Sequence, residues 1–399
     1  MADQIELRDG RLRVLVVRLG AMGDILHALP AVTALRAAHP EWFLGWVVEP
    51  RWAELLRARD QTSTGLADCS STPSEDVQRK AQPQDHRRAN SPDATPEWMP
   101  VVDRVHLAGA KGWGRRPLIA ATWREVRRVK QELREAEYDV CLDLQGAVRS
   151  AWIGRWAGAR RMIGEDDPRE RAARWLFSER VKTQGRHVIE QCLEVAGRVA
   201  SETLPFTAAA LPRDATAEGW CREWLAAALN PPDRRRPLVL LNPGAGWGAK
   251  RWPTDRYGKV AAALARMGCS VVVNAGPGEA DLAAAVGAAS GGAAVAVSPD
   301  ISQLIALTRR AALVIAGDTG PLHLANALGC PVVGIFGPTD PCRNGPFGSK
   351  FRNLRHPESR RDHSRLADPE PGLLTISVDA VVEAALELMG TDAATGARP

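Results

Sequence analysis

This sequence lacks the features that assign a chain to several large classes of protein. Its 399 residues contain no apolar run long enough to cross a bilayer, and the first residues do not form the core of a signal peptide. No two of the seven cysteines have the spacing of a metal site or a redox pair, which predicts reduced thiols in a cytoplasmic protein. The net charge of +5 is too small to indicate a nucleic-acid-binding protein.

Several catalytic signatures are also missing. The sequence has no G-x-S-x-G, no H-E-x-x-H, no Walker A loop and no dinucleotide fingerprint G-x-G-x-x-G. It has no cluster of Cys, His and Asp at metal-ligand spacing, so neither a metal nor a cofactor is predicted. An enzyme with this inventory would use an isolated carboxylate and cationic anchors. Metal-free group transfer from a phosphate leaving group fits that inventory.

The remaining residues predict an α/β protein. The composition is 45% hydrophobic and 25% charged, and the chain is long enough for two domains. β-Branched strands alternate with amphipathic helices in both halves, which predicts two tandem Rossmann-like domains with parallel sheets that face each other across a cleft. The predicted units are an N-terminal domain at 1–229 with a disordered insertion at 58–99, a linker at 230–237, a C-terminal domain at 238–376, a helix at 377–389 and a disordered tail at 390–399.

Three segments between the predicted elements carry further expectations. Trp52–Leu56 is predicted to begin a helix. The mixed charges of Asp166–Arg174 favour a solvated helix face. Gly337–Gly372 is predicted to be mostly irregular and basic.

The stretch Val14–His27 places a carboxylate at the end of the first predicted strand. Gly20 and Gly23 allow a tight turn, and Asp24 follows in the first turn of the next helix. Open α/β sheets bind their ligands at the carboxyl ends of their strands, which favours a functional carboxylate. Asp24 as a helix cap is an equally good interpretation, because Asp is preferred at helix N-termini.

A glycine-rich loop, Asn242–Trp252, follows the first strand of the second half. Its backbone N–H groups could face a phosphate, and Lys250 or Arg251 could neutralise it. A mobile surface loop is the alternative. Glu279 follows a Gly-Pro-Gly turn after the next strand, where an acidic residue can bind ribose hydroxyls or simply favour the helix dipole.

The segment Asp318–His323 joins a strand to a helix. Thr319 and Gly320 lie at the predicted helix N-terminus, where free N–H groups bind anions. Asp318 would repel a phosphate, so we expect it to bind hydroxyl groups such as those of a ribose. Helix capping by Asp318 or Thr319, with His323 packed in the helix, is the simpler alternative.

Three stretches together resemble glycosyltransferase family 9, which includes the ADP-heptose:lipopolysaccharide heptosyltransferases. They are Arg18–Val32, Asn242–Pro253 and Asp318–Pro341, with Asp143–Gly146 as a weaker fourth match. The first stretch is most like heptosyltransferase I with Ala21 in place of Ser, whereas the second is closer to heptosyltransferase II. The resemblance implies the GT-B architecture, with the acceptor on the N-terminal domain and the nucleotide sugar on the C-terminal domain.

The resemblance also implies roles for individual residues. Asp24 matches the general base, Lys250 the diphosphate contact and Glu279 the ribose contact. The implied donor-binding residues are Asn242, Gly244, Lys250, Glu279, Asp318, Thr319, Gly320 and His323. The candidate acceptor-binding residues are Arg18, Gly23, Arg169 and Arg171.

The implied reaction is an inverting, metal-independent transfer of heptose from ADP-L-glycero-D-manno-heptose to the Kdo region of lipopolysaccharide. The acceptor is anchored by lipid A, so the resemblance implies a cytoplasmic enzyme with peripheral contact to the inner membrane. Another acceptor, such as heptosyl-Kdo-lipid A, or another nucleotide sugar is the nearest alternative. An epimerase, a nucleotide-binding regulator or a binding protein without turnover on the same scaffold is more distant.

Overall fold

The computed structural model describes residues 11–58, 100–115, 119–229, 236–348, 350–361 and 366–390. The predictions for the insertion at 58–99, the linker at 230–237 and the tail at 390–399 fall almost entirely outside these residues. No helix within the described ranges is both long enough and apolar enough to cross a membrane.

The first half of the chain forms a sheet of six parallel strands. Its order is β3-β2-β1-β4-β5-β6. The elements are β1 (Arg13–Val17), α1 (Met22–Ala38), β2 (Phe43–Val48), a 3-10 helix (Pro50–Leu55), β3 (Arg104–Leu107), α2 (Ala110–Trp113), α3 (Ala120–Glu135), β4 (Val140–Asp143), α4 (Val148–Trp156), β5 (Arg161–Glu165), a 3-10 helix (Arg171–Leu176), β6 (Glu179–Val181), α5 (Val188–Ala200) and α6 (Ala215–Ala228).

The second half repeats the same topology. Its six strands are also parallel, in the order β12-β11-β10-β7-β8-β9. The elements are β7 (Leu238–Asn242), a 3-10 turn (Gly248–Lys250), α7 (Thr254–Arg266), β8 (Ser270–Asn274), α8 (Ala280–Ala289), β9 (Ala294–Val297), α9 (Ile301–Thr308), β10 (Leu313–Gly317), α10 (Gly320–Ala327), β11 (Val332–Phe336), α11 (Pro341–Asn344), β12 (Phe351–Arg355), α12 (Pro371–Thr375) and α13 (Val378–Met389).

In each sheet the order of strands reverses at one point. The chain moves outward in one direction from β1 and then returns to begin β4 on its other side, and β7 and β10 repeat this arrangement. The crevice outside the carboxyl ends of two such strands is where open α/β sheets bind ligands. The fold therefore provides two ligand crevices, one in each lobe.

The predicted fold class is confirmed, but one local prediction is wrong. Residues 337–372 are mostly irregular, as predicted, but they also contain α11, β12 and the start of α12. β12 is a half-exposed edge strand, so it lacks the apolar run that identifies a buried strand. Asp166–Arg174 forms turns and the start of a 3-10 helix rather than a solvated helix. The helix predicted to begin at Trp52–Leu56 is present as the short 3-10 helix Pro50–Leu55.

Helix α1 is buried on nearly all sides, because it packs between the two lobes. It contacts α5 in its own lobe and α10 in the other. Its sequence is apolar all round, as expected for a helix without a solvent face. One continuous hydrophobic core runs from Val16 beneath α1 to Leu322 on α10, so the lobes share buried surface.

Two further contacts connect the lobes away from α1. The Glu54 carboxylate accepts hydrogen bonds from the backbone N–H and the hydroxyl of Ser302, both at 3.0 Å, at the first turn of α9. Helix α6 comes from the first half of the chain but packs against α9, and its Glu218 forms an ion pair with Arg310 at 2.6 Å. The two lobes are therefore held together along a broad surface.

Candidate active site at the strand ends of both lobes

Asp24 lies in the first turn of α1, beyond the carboxyl end of β1. Its carboxylate accepts a hydrogen bond from the backbone N–H of Ala21 at 2.9 Å and lies 3.2 Å from a guanidinium nitrogen of Arg18. The side chain is nonetheless 36% exposed. Asp24 therefore caps the helix and still presents carboxylate surface to solvent, so the two interpretations of this residue are compatible.

Arg18 lies beneath this carboxylate and is buried. Its guanidinium donates to the backbone carbonyls of Asp24 and Leu144, and thereby joins the β1–α1 loop to the end of β4. The side-chain oxygen of Gln145 accepts from the Leu19 N–H at 2.7 Å and joins the same two loops. These contacts fix the position of Asp24 relative to the first sheet.

The first turns of α1 and α10 meet at the boundary between the lobes. A Cβ atom on Gly23 would lie 2.7 Å from the ring of His323, and one on Gly320 would lie 2.6 Å from the sulfur of Met22. Neither position can accept a side chain without movement. Two glycines thus allow the first-lobe loop that carries Asp24 to touch the second-lobe loop that carries Asp318.

A chain of buried polar groups crosses this boundary. Lys250 forms an ion pair with Asp318, which also accepts from the Nε2 atom of His323 at 3.1 Å. The other ring nitrogen of His323 lies 3.2 Å from Nε2 of His27 on α1. The ring of His187 packs edge-on against His27. The motif residues Lys250, Asp318 and His323 are therefore brought together, and His27 links them to the first lobe.

The positive and negative charges within this group of buried polar side chains balance each other. Burial alone would raise the pKa of Asp318, but the hydrogen bond from His323 and the charge of Lys250 hold it well below its usual range. The pKa of His27 is lowered by burial first and then by the neighbouring histidines. Burial also lowers the pKa of His187. Asp318 is thus an anion beside a cation, with neutral His27 and His187 behind.

The other predicted donor residues lie around β7 and β10. Asn242 is buried at the end of β7, where its side-chain oxygen accepts from Asn274 at 2.7 Å and its amide nitrogen has no hydrogen-bond partner among the described residues. The Glu279 carboxylate accepts from the Gly276 N–H and lies over Gly244, where a Cβ would meet it at 2.1 Å. Thr319 is the N-cap of α10 and makes no side-chain cap bond, so it does not cap the N–H groups of Gly320 and Leu322 on either side of Pro321.

Arg169 and Arg171 lie on the segment between β5 and β6, at the ligand edge of the first sheet. This segment packs on the turn after β4: the Glu170 N–H donates to the Gly146 carbonyl at 2.8 Å. Both arginine side chains are exposed. Of the four candidate acceptor-binding residues, these two have solvent-exposed side chains, whereas Arg18 is buried and Gly23 packs against α10.

Asp143 is a buried carboxylate that sequence reasoning matched only as part of a motif. It ends β4 and accepts from the N–H groups of Gln145 and Gly146, both at 2.8 Å, and from Ser150. Burial raises its pKa to about 6, although these hydrogen bonds oppose the rise. The feature of the sequence that could have identified Asp143 is its position at the end of β4, beside the point where the strand order reverses. His27 had no such signal, because its partner is 296 residues away.

The residues that the structure describes contain no group of three His, Cys, Asp or Glu able to hold a metal.

Two six-stranded parallel sheets with facing ligand crevices define a protein of the GT-B type. Residues 126–372 match the family described as glycosyltransferase family 9 (heptosyltransferase). This match covers more than half of the chain, so the chain belongs to glycosyltransferase family 9, and the predicted family is confirmed.

Comparison with individual proteins agrees with this assignment. The chain is 28% identical to lipopolysaccharide heptosyltransferase 1 of Pseudomonas aeruginosa over 84% of this chain and 82% of that one. Its fold matches a family 9 glycosyl transferase of Veillonella parvula with a TM-score of 0.73 and 18% identity, covering 95% and 97% of the two chains. It matches the E. coli heptosyltransferase WaaC with ADP at a TM-score of 0.69 and 22% identity, covering 94% and 100%.

Two buried groups make opposite contributions to stability in mild acid. Below pH 6.5, the ordinary pKa of histidine, unfolded His27 binds a proton that folded His27 resists, so acid destabilises the fold. Asp143 is protonated in the folded state near pH 6 but in the unfolded state only near 3.8, so acid stabilises the fold. Between about pH 7 and pH 5 we expect His27→Gln to make the loss of stability shallower and Asp143→Asn to make it steeper.

Urea unfolding at several pH values measures both slopes. The wild-type profile is the reference, because it contains both contributions along with that of every other titrating group. Profiles of the two variants that run parallel to the wild type would show that neither group has a shifted pKa.

Proposed function

We propose that this protein transfers the heptosyl group of ADP-L-glycero-D-manno-heptose to a Kdo residue of the lipopolysaccharide inner core, with inversion and without a metal ion. The observation that carries this proposal is the contact between the loops of Asp24 and Asp318. This contact supports the proposal because the first turn of α1, which carries the accessible Asp24 carboxylate, packs against the first turn of α10, which follows the Asp318–Lys250 pair. The names of the family and of its similar members supply the substrate class.

The acceptor is activated by Asp24. Its carboxylate takes the proton of a sugar hydroxyl while that oxygen attacks the anomeric carbon of heptose. The bond from this carbon to the β-phosphate oxygen breaks, and ADP leaves with the electron pair from the opposite face. Arg18 holds the carboxylate in place from below, so Asp24 need not reorganise during the reaction.

The leaving diphosphate is stabilised by donors of the second lobe. Lys250 has three ammonium protons, of which Asp318 does not use all, and the first N–H groups of α10 supply fixed dipoles. Donors that are already in place stabilise charge as it develops in the transition state. Because these groups supply the positive charge, the proposed mechanism requires no metal.

The parts of the donor and the acceptor that lie away from the reacting atoms are held by other residues: a carboxylate for the ribose of ADP, and arginines for the anionic groups of the acceptor. Glu279 lies over Gly244, at the position where a carboxylate can accept hydrogen bonds from the ribose hydroxyls of ADP. Exposed Arg169 and Arg171 at the first-lobe crevice bind the anionic carboxylate and phosphate groups of the inner core. A lipid-anchored acceptor places the enzyme at the cytoplasmic face of the inner membrane.

Weighing the products tests this assignment. The protein is incubated in EDTA with ADP-heptose and either Kdo-lipid A or heptosylated Kdo-lipid A. We expect one added heptose on Kdo-lipid A, with the inverted anomeric configuration by NMR. Transfer only to the heptosylated acceptor would replace the first assignment with the second heptosyltransferase activity. Binding of a UDP- or GDP-sugar but not ADP-heptose would reject the donor.

Replacing Asp24 separates catalysis from donor binding. Asp24→Asn keeps the size of the side chain and an oxygen for the Ala21 N–H, so the helix cap is retained. Loss of the general base lowers kcat by about 10²–10⁴-fold. ADP affinity by calorimetry should be unchanged, because in the proposed mechanism Asp24 acts on the acceptor and does not hold the nucleotide. Near-wild-type kcat would remove Asp24 from the mechanism.

Replacing Lys250 tests the diphosphate site. Lys250→Met alone would leave Asp318 as a buried, unpaired charge, so the informative variant is Lys250→Met combined with Asp318→Asn. A lost hydrogen bond to a charged group costs about 1.5–3 kcal/mol, so we expect ADP affinity to fall by about ten- to a hundredfold. Lys259→Met on exposed α7 is the matched control and should bind ADP normally. Equal affinity in both variants would contradict the role of Lys250.

A further inference from the structure

Three exposed tryptophans lie on one side of the first lobe. Trp123 on α3 is 63% exposed, Trp152 on α4 is 53% exposed, and Trp175 in the second 3-10 helix is 79% exposed. Helix α4 packs against both α3 and this 3-10 helix, so the three indoles belong to neighbouring elements of one layer. Tryptophan is normally among the well-buried residues, and a group of exposed indoles marks an interaction surface.

Basic side chains accompany these tryptophans on α3. Ile119, Trp123, Arg127, Lys130 and Arg134 recur at intervals of three and four residues, and all five are exposed. They therefore form one stripe along the helix, on a different side from its buried residues. This stripe contains no acidic residue.

The three acidic residues of α3 lie elsewhere on the helix and all have partners; exposed Glu135 accepts a hydrogen bond from Gln131 at 2.7 Å. Glu125 accepts from the Gly109 N–H at 2.9 Å and from the Trp113 indole at 3.0 Å. Glu132 pairs with Arg128. On α4, Arg149 and Arg155 lie three residues on either side of Trp152, and all three are exposed. The surface of both helices thus combines exposed indoles with positive charge.

We propose that the outer face of α3, α4 and the 3-10 helix Arg171–Leu176 docks on an anionic phospholipid bilayer. Indole rings insert at the level of the headgroups, where one edge is apolar and the other is wet. Arginine and lysine beside them attract anionic lipid, and their alkyl stems can lie along the apolar boundary. A partner bound by charge alone, such as the phosphate backbone of a nucleic-acid duplex, would not account for Ile119 and three exposed indoles together.

The position of this face suits the proposed reaction. The reason for membrane docking therefore rests on the proposed function. The bond between Glu125 and Gly109 places the first third of α3 just beyond the carboxyl end of β3. That is the sheet edge from which the Asp24 loop also emerges. An enzyme docked through Ile119 and Trp123 would therefore hold its acceptor crevice close to the membrane, where a lipid-anchored sugar is presented.

Vesicle flotation tests the surface separately from catalysis. The full-length protein is mixed with vesicles of phosphatidylethanolamine and phosphatidylglycerol, and with vesicles of phosphatidylcholine alone. We expect binding to the anionic vesicles that weakens with salt. Changing all three indoles (Trp123→Ala, Trp152→Ala, Trp175→Ala) should lower the partition coefficient at least about tenfold, as should Arg127→Glu with Lys130→Glu.

Matched changes on the second lobe provide the controls. Met267→Ala removes an exposed apolar side chain there, and Lys259→Glu with Arg266→Glu reverses the same number of charges. Both should bind vesicles like the wild type. Transfer to a water-soluble Kdo oligosaccharide should be unchanged in every variant, whereas transfer to a vesicle-embedded acceptor should fall with the partition coefficient.

Three results would overturn this inference. They are no binding of the wild type to anionic vesicles, equal binding by the indole variant, and binding to RNA or an acidic protein in place of vesicles. If the proposed function is wrong instead, transfer to the soluble acceptor fails while vesicle binding and its loss in the variants remain.

Discussion

The arrangement of this molecule depends on the contact between the first turns of α1 and α10. Each helix begins at the point of its sheet where the strand order reverses, and each begins with a turn that contains glycine. Side chains at Gly23 and Gly320 would push the turns apart, because His323 and Met22 already occupy the adjacent space. Two ligand crevices that would be separate in isolated domains thereby lie at the same boundary between the lobes.

The buried polar chain behind this contact is stable because its charge is compensated within it. Lys250 and Asp318 neutralise each other, and burial keeps His27 and His187 unprotonated. An unpaired charge at this depth would cost several kcal/mol, so the ion pair and the hydrogen bonds must form together. The same group of polar side chains joins the proposed diphosphate site to α1. A change in the protonation of His27 would therefore alter contacts in both lobes.

Much of the fold could be predicted from the sequence because its strands are buried on both faces. Val332–Phe336 and Leu313–Gly317 are short apolar runs, and short apolar runs between helices identify parallel strands. β12 could not be predicted in this way, because it lies at the edge of its sheet and is half exposed. The residues around the candidate site could be proposed from the sequence to a similar extent, and their roles stay predictions. Asp24 and Asp318 could be singled out because each follows a recognisable strand. Nothing in the sequence distinguishes His27 from other histidines, because its partner His323 is distant in the chain.

The sequence by itself determined the alternation of strands and helices and the residues that follow each strand, because both depend on local periodicity and on turn residues. Only the tertiary structure decided which of those strand ends meet. It paired Lys250 with Asp318, placed His323 against His27, and collected tryptophans from three elements on one face. The physical reason is that these contacts join residues far apart in the chain, and their geometry is set by how the two sheets and their covering helices pack.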